Sequence, residues 1–166
     1  MIERYTKPEM GAVFKPERRF YWMLEVEKAV AEVQAELGLI PSEAARAIAE
    51  RGRFDVARID EIEKTTKHDV IAFVSCVAEN VGPEGRWVHY GLTSSDVLDT
   101  ALNLQIAEAG QVLLSAVERL IAILKTCAVR EADTLCAGRT HGMHAEPTTF
   151  GMKLAGFWAE FSRHRE

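Results

Sequence analysis

From Ser95 to Glu131 the chain contains no proline and a single glycine, Gly110. Thr93 and Asp96, at its start, fit a capping box, in which a hydroxyl and an acid three residues on exchange hydrogen bonds with each other's backbone. The spacing predicts one helix roughly 55 Å long, at 1.5 Å per residue. A compact domain of 166 residues has a radius of gyration near ~15 Å, so it is about 40 Å across. The helix outruns the domain. Between Val97 and Leu124 its only charges are Asp99, Glu108, Glu118 and Arg119. Val112, Leu113, Leu114, Val117, Leu120, Ile121, Ile123 and Leu124 cover most of its circumference. A helix apolar nearly all round must be buried nearly all round. The rest of the chain supplies too few helices for that, so the cover is expected from other subunits or from further chain.

The remaining sequence reads as helices punctuated by Gly and Pro. Pro16 fits a first helical turn. Phe20, Met23, Leu24, Val26, Val30, Val33 and Leu37 then recur every three or four residues, up to a Gly38 stop. Pro41 and Ser42 open a short helix that ends at Gly52, and Asp55 caps another containing Ile59 and Ile62. Thr66 and Asp69 fit a second capping box, before a helix with Ile71, Phe73, Val74 and Val77 that Gly82-Pro83 closes. Residues 82–95 read as irregular. Phe150, Leu154, Phe157 and Phe161 form a further stripe, read as core, on a helix expected to be cut in mid-course at Glu166. No alternating run argues for a sheet.

Composition excludes several classes. Apolar residues at 48% and charged residues at 27% are those of a globular protein. The net charge of −5 argues against a broad nucleic-acid or anionic-membrane surface. Glu3, Arg4, Lys7 and Glu9 leave no apolar signal stretch, and Ser115, Glu118 and Arg119 interrupt the most apolar segment. Three cysteines (Cys76, Cys127, Cys136) without a CxxC pair argue against a disulfide framework and for a reducing compartment.

Four of the five histidines lie in or beside polar loops: TTKHD (65–69), RWVHYGLTSSD (86–96) and GRTHGMHAEP (138–147). Each segment also carries a cation, Lys67, Arg86 or Arg139, and a hydroxyl. Helix starts present unpaired N–H groups and partial positive charge. Cations, imidazoles and hydroxyls gathered at helix starts in a net-acidic chain fit the grip on a small polyanion. Imidazole can also take up and return a proton near neutral pH. The bland alternatives are that Thr66, Thr93, Asp69 and Asp96 only cap helices, and that His68, His89 and His144 are structural. His141 and His144 with Glu146 could hold a metal, but no third ligand stands at a recognised spacing.

The segments GLTSSDVLDTAL (91–102) and GRTHGMHAEPTTFGMKLAGF (138–157) resemble two of the three shared regions of the fumarase/aspartase superfamily, in the form of its adenylosuccinate lyase family. The opening MIERYTKPEMG (1–11) and TKHDVIAF (66–73) resemble that branch rather than its siblings. The resemblance implies an all-α fold: a small N-terminal helical domain, residues 1–93, followed by the first long helices of a bundle, residues 94–166. Four subunits are implied to pack their bundles together, in the cytoplasm, with no metal or organic cofactor and no nucleic-acid or membrane partner. The implied reaction eliminates fumarate from adenylosuccinate to give AMP, and likewise cleaves the succinyl-carboxamide ribotide of purine synthesis.

Such an elimination needs a base for the carbon-bound proton, an acid for the departing nitrogen, and fixed positive charge for the carboxylates and phosphate. By the resemblance, His141 is the acid, and His68 helps hold substrate and polarise His141. Arg4 and Tyr5 match the phosphate-binding opening, and Lys67, Asp69, His89, Thr93, Ser94 and Thr140 match substrate-contacting positions. Met143 stands where many superfamily members carry Gln. The third shared region, with its serine base, is absent, and the family's site draws on three subunits, so the 166-residue chain alone is expected to be inactive. A sibling lyase acting on another succinyl-type substrate and a non-catalytic helical assembly module are the competing readings.

Overall fold

A computed structural model describes residues 2–165; Met1, which opens the N-terminal motif, and Glu166, where the expected cut helix stops, lie outside the described residues. After a 3-10 turn, Glu3–Tyr5, come α1 (Pro8–Val13), α2 (Pro16–Glu36), α3 (Ser42–Arg51), α4 (Val56–Thr66) and α5 (Asp69–Val81). A second 3-10 turn, Pro83–Trp87, leads to α6 (Ser94–Arg130), an antiparallel hairpin of β1 (Leu135–Thr140) and β2 (Met143–Thr149), and α7 (Phe150–His164). The chain divides into two compact units, Met1–Ala109 and Gly110–Glu166, and the division falls inside α6.

The first unit is built on α5. Its Phe73, Cys76 and Val77 are fully buried, against Met23 and Leu24 of α2, Ile48 of α3, Ile59 of α4 and Val97 and Ala101 of α6. The Phe73 ring stacks on Phe20 at 5.7 Å, and Phe20 meets Phe54 at 5.9 Å. Burying a side chain such as Phe73 contributes about 2–3 kcal/mol. The local signals hold where backbone chemistry fixes them. Pro16 opens α2, Gly38 follows it at φ 71°, and Asp55 accepts the Arg58 N–H at 2.8 Å to cap α4. At the start of α6, Asp96 accepts the Thr93 N–H at 2.8 Å. Buried Gln105 of α6 donates to the Val13 carbonyl at 2.7 Å and ties down the end of α1. Trp87 packs edge-on against Tyr90 at 5.1 Å.

Five expectations are corrected. Val33 and Leu37 are exposed: the buried stripe of α2 bends instead through Glu27 and Ala31, because core contact depends on neighbours as well as on spacing. Residues 66–69 do not form a capping box. His68 is the cap of α5, its Nδ1 accepting the Ile71 N–H at 3.3 Å, while Thr66 ends α4 and donates from its hydroxyl to the His68 carbonyl. The 82–95 stretch holds the 3-10 turn, which Pro83 favours by fixing φ. Residues 135–149 form a hairpin, which escaped the alternation rule because neither of its faces is buried. Phe150 and Phe157 of α7 are exposed rather than core.

In the second unit, α7 begins hard against the end of α6. The N–H groups of Phe150 and Gly151 donate to the carbonyls of Thr134 (2.8 Å) and Glu131 (2.9 Å). A Cβ at Gly151 would come within 2.5 Å of the Ala128 carbonyl oxygen. Along α6 the side chains of Leu102, Ile106, Leu113, Leu114, Leu120, Ile123 and Val129 are exposed. This is the apolar face for which the sequence required a cover from outside the chain.

Candidate functional site

Three non-glycine residues have positive φ among the described residues: Lys67 at 54°, His89 at 64° and His141 at 53°. They fall one in each of the three histidine-bearing segments singled out from sequence. L-residues avoid this left-handed region at a cost of roughly 1–2 kcal/mol, and strain of this kind concentrates at functional sites.

Lys67 is the left-handed residue that ends α4, and the backbone reversal there delivers His68 directly as the cap of α5. The His68 side chain is half exposed. Its Nδ1 lone pair is committed to the Ile71 N–H, so Nε2 is the nitrogen free to meet a ligand. Asp69 receives the Arg19 guanidinium of α2 at 3.0 Å.

His89 is the most enclosed of the predicted site residues. Glu27, on the buried face of α2, accepts its backbone N–H at 2.9 Å and lies 2.6 Å from its Nδ1. One helix therefore anchors both loops, with Arg19 holding the 67–69 turn and Glu27 the 89 turn. Eight residues apart, the two anchors are about 12 Å apart along the α2 axis. Gln34, two turns further on, donates to the Tyr90 carbonyl at 2.8 Å and secures the far side of the second turn. Thr93 and Ser94 follow at the start of α6, Thr93 exposed and Ser94 half-buried. Arg4 and Tyr5 are exposed on the N-terminal 3-10 turn, the guanidinium 4.8 Å from the ring centre.

In the second unit, Thr140 pairs with Met143 as the last rung of the hairpin, and His141 and Gly142 (φ 73°) form its two-residue turn. Two positive φ values define a type I′ turn, whose twist matches that of the strands. Histidine is among the few side chains enriched in that region. His141 thus stands at the exposed tip of a two-stranded arm, reached by neither strand's packing. The reading of His141, His144 and Glu146 as a metal set finds no support: among the described residues no group of three or more His, Cys, Asp or Glu gathers closely enough to hold a metal ion. The described residues contain no helix long and apolar enough to cross a membrane.

Sequence reasoning missed Arg19 and Glu27. Glu27 left a signal: an acid four residues from both Met23 and Ala31, on the stripe that faces the core. A carboxylate almost never sits at such a position unless it has a partner.

The structure is helical apart from one hairpin, with imidazole-bearing turns at positive φ and a long helix whose apolar face is exposed. The chain belongs to the lyase family, whose model, described as Lyase, matches residues 3–166. It is 51% identical over 166 residues to the adenylosuccinate lyase of Bacillus subtilis (strain 168) and 50% identical to that of Synechocystis sp. (strain ATCC 27184 / PCC 6803 / Kazusa). In both cases all of this chain is covered, and it spans 38% of the relative's length. Among solved structures, a 3-carboxy-cis,cis-muconate lactonizing enzyme from Pseudomonas putida superposes with a TM-score of 0.87 at 35% identity, over 97% of this chain and 38% of that one. A fumarate lyase from Mesorhizobium sp. BNC1 gives 0.86 at 31% identity, over 94% and 38%.

Proposed function

We propose that this chain is part of an adenylosuccinate lyase, acting in purine synthesis on adenylosuccinate and the succinyl-carboxamide ribotide. The observation that carries the reading is the coincidence of left-handed backbone with the three imidazole-bearing segments, in a chain about half identical throughout to enzymes of that name. At Lys67 the left-handed backbone also ends α4, and at His141 it also makes a hairpin turn; His89 lies in neither kind of structure, and strain of that sort gathers at functional sites.

In the proposed reaction a base removes the proton from the carbon next to the substrate's carboxylate. The electron pair forms the carbon–carbon double bond of fumarate, and the carbon–nitrogen bond breaks. His141 donates a proton to the departing nitrogen of AMP. A two-residue turn suits proton donation, because it presents the ring beyond both strands while fixing the backbone that carries it. His68 offers Nε2 to the substrate and polarises His141. Lys67, Arg4 and Tyr5 supply charge and donors to the phosphate and carboxylates, aided by Asp69, His89, Thr93, Ser94 and Thr140. The base belongs to a segment outside this chain. Residues 1–93 form the N-terminal domain in this reading, residues 94–166 open the bundle, and the bare face of α6 packs in a cytoplasmic homotetramer.

The test is fumarate release by the complete gene product, supplied in parallel with adenylosuccinate and argininosuccinate. Turnover of the first alone is expected. Turnover of argininosuccinate alone overturns the substrate assignment. His141→Ala is expected to abolish turnover with assembly intact, whereas loss of assembly alone would mark a structural module.

A further inference from the structure

We infer that Glu27 is a positioning residue that determines which ring nitrogen of His89 meets the substrate, an inference resting on the function proposed above. Glu27 is 2% exposed, on the core face of α2, between Met23 and Ala31. A carboxylate buried there is costly without partners, and both of its oxygens are used on one residue. Oε2 accepts the His89 backbone N–H at 2.9 Å, and Oε1 lies 2.6 Å from Nδ1.

The backbone bond fixes a residue at φ 64°, where a side chain of its kind would otherwise relax. The ring bond fixes rotation and proton position, since a carboxylate only accepts and Nδ1 must therefore carry the hydrogen. Nε2 is left as the ring's one nitrogen without a committed partner, on a side chain still 15% exposed. His68 is oriented by the opposite bond, its Nδ1 accepting rather than donating. The two imidazoles thus hold Nδ1 in opposite protonation, although both leave Nε2 for the ligand. A carboxylate bonded to one ring nitrogen is the arrangement by which ligand-binding histidines are commonly fixed in tautomer and orientation.

The test uses the complete gene product and a double-mutant cycle on the KM for adenylosuccinate. Glu27→Gln keeps the volume but can accept only one of the two bonds. It is expected to raise KM about tenfold, equivalent to a displaced contact, with kcat reduced less than about threefold. His89→Ala is expected to act alike, and Glu27→Gln added to it is expected to change KM no further. The same rise from Glu27→Gln in both backgrounds, or none in the wild type, overturns the inference, because a purely structural acid would cost the same with or without the imidazole.

Should Glu27→Gln fail to fold, nitrogen NMR of 15N-histidine-labelled wild type, with His89→Ala for assignment, decides instead. A protonated Nδ1 at His89, with Nε2 alone shifting on addition of AMP, is expected. An unprotonated Nδ1, or an Nε2 indifferent to AMP, overturns the inference. Wild-type protein that releases no fumarate overturns the proposed function separately, and the nitrogen spectrum still reports on Glu27.

Discussion

His68 caps a helix and, in the proposed reaction, also meets the substrate, and substitutions can separate the two roles. Its Nδ1 accepts the Ile71 N–H at 3.3 Å, while Val70 N–H is held by Asp69 and Ala72 N–H by the His68 carbonyl. Removal of the imidazole therefore orphans one amide, that of Ile71. Losing a cap costs about 0.5–2 kcal/mol. A bond of this length on a half-exposed side chain belongs at the low end, about 0.5–1 kcal/mol. At 1.4 kcal/mol per tenfold, the Ile71 amide of His68→Ala should exchange with deuterium about 2–5 times faster than in the wild type. His68→Asn restores a good capping acceptor and should keep exchange within about twofold. Both variants should lose at least about tenfold in fumarate release from adenylosuccinate, since neither offers a ring nitrogen. Peptide-resolved hydrogen exchange and a turnover assay on the complete gene product read the two effects independently. Full turnover in His68→Asn would refute the chemical role and leave His68 as a cap alone. Unchanged exchange in His68→Ala would refute the cap.

Other perturbations follow from the same geometry. Arg18 and the Trp22 indole both donate to Glu108, at 2.8 and 3.0 Å, and the Arg18 bond holds the Glu108 carboxyl below the usual carboxylate range. That stabilisation is present above the unfolded value near ~4.3 and is lost as pH falls through the lower folded value. Because the pair is about one-third exposed, Glu108→Gln should cost about 1 kcal/mol at pH 7, measured as a urea midpoint at fixed protein concentration. The difference from wild type should shrink below about pH 4. Gly151→Ala should destabilise by about 1–3 kcal/mol in the same measurement, because the new methyl meets backbone atoms of Ala128, Glu131 and Ala132 rather than a movable side chain. His141→Asn should preserve the hairpin, since asparagine also accepts positive φ, whereas His141→Val should loosen it; hydrogen exchange across 135–149 distinguishes them, and both should be inactive.

How much was legible in the sequence depended on whether a residue's behaviour is local. Gly38 acts through its own backbone and Asp55 through a carboxylate that reaches only three residues on, so their roles could be read directly. The run from 95 to 131 was equally readable, because the absence of proline and the wealth of apolar residues leave one regular structure available. The hairpin was not, since neither strand buries a face and so neither alternates; its one local sign was the His141-Gly142 pair at a two-residue turn. The capping of α5 was misassigned to Thr66 because histidine is a rare cap, and only the left-handed turn at Lys67 brings it into place. Arg19 and Glu27 were beyond local reading altogether: each acts on a loop 50 to 62 residues away.

Those two long-range contacts explain why the imidazole-bearing turns of the first unit can hold strained backbone at all. Residues at positive φ persist only where surrounding structure over-determines them. At residue 67 the helix ends of α4 and α5 do so, with Arg19 fastening Asp69. At residue 89 no helix is available, and Glu27 and Gln34 take its place with three hydrogen bonds to residues 89 and 90. All three anchors lie on α2, a helix that carries no predicted ligand contact of its own. The predicted ligand residues of this unit therefore sit on turns, while their backbone is held from α2, by Glu27 on its core face beside Met23 and Leu24 and by the more exposed Arg19 and Gln34. A change in the packing of α2 should reach both turns together, and a change in either turn should leave the other in place.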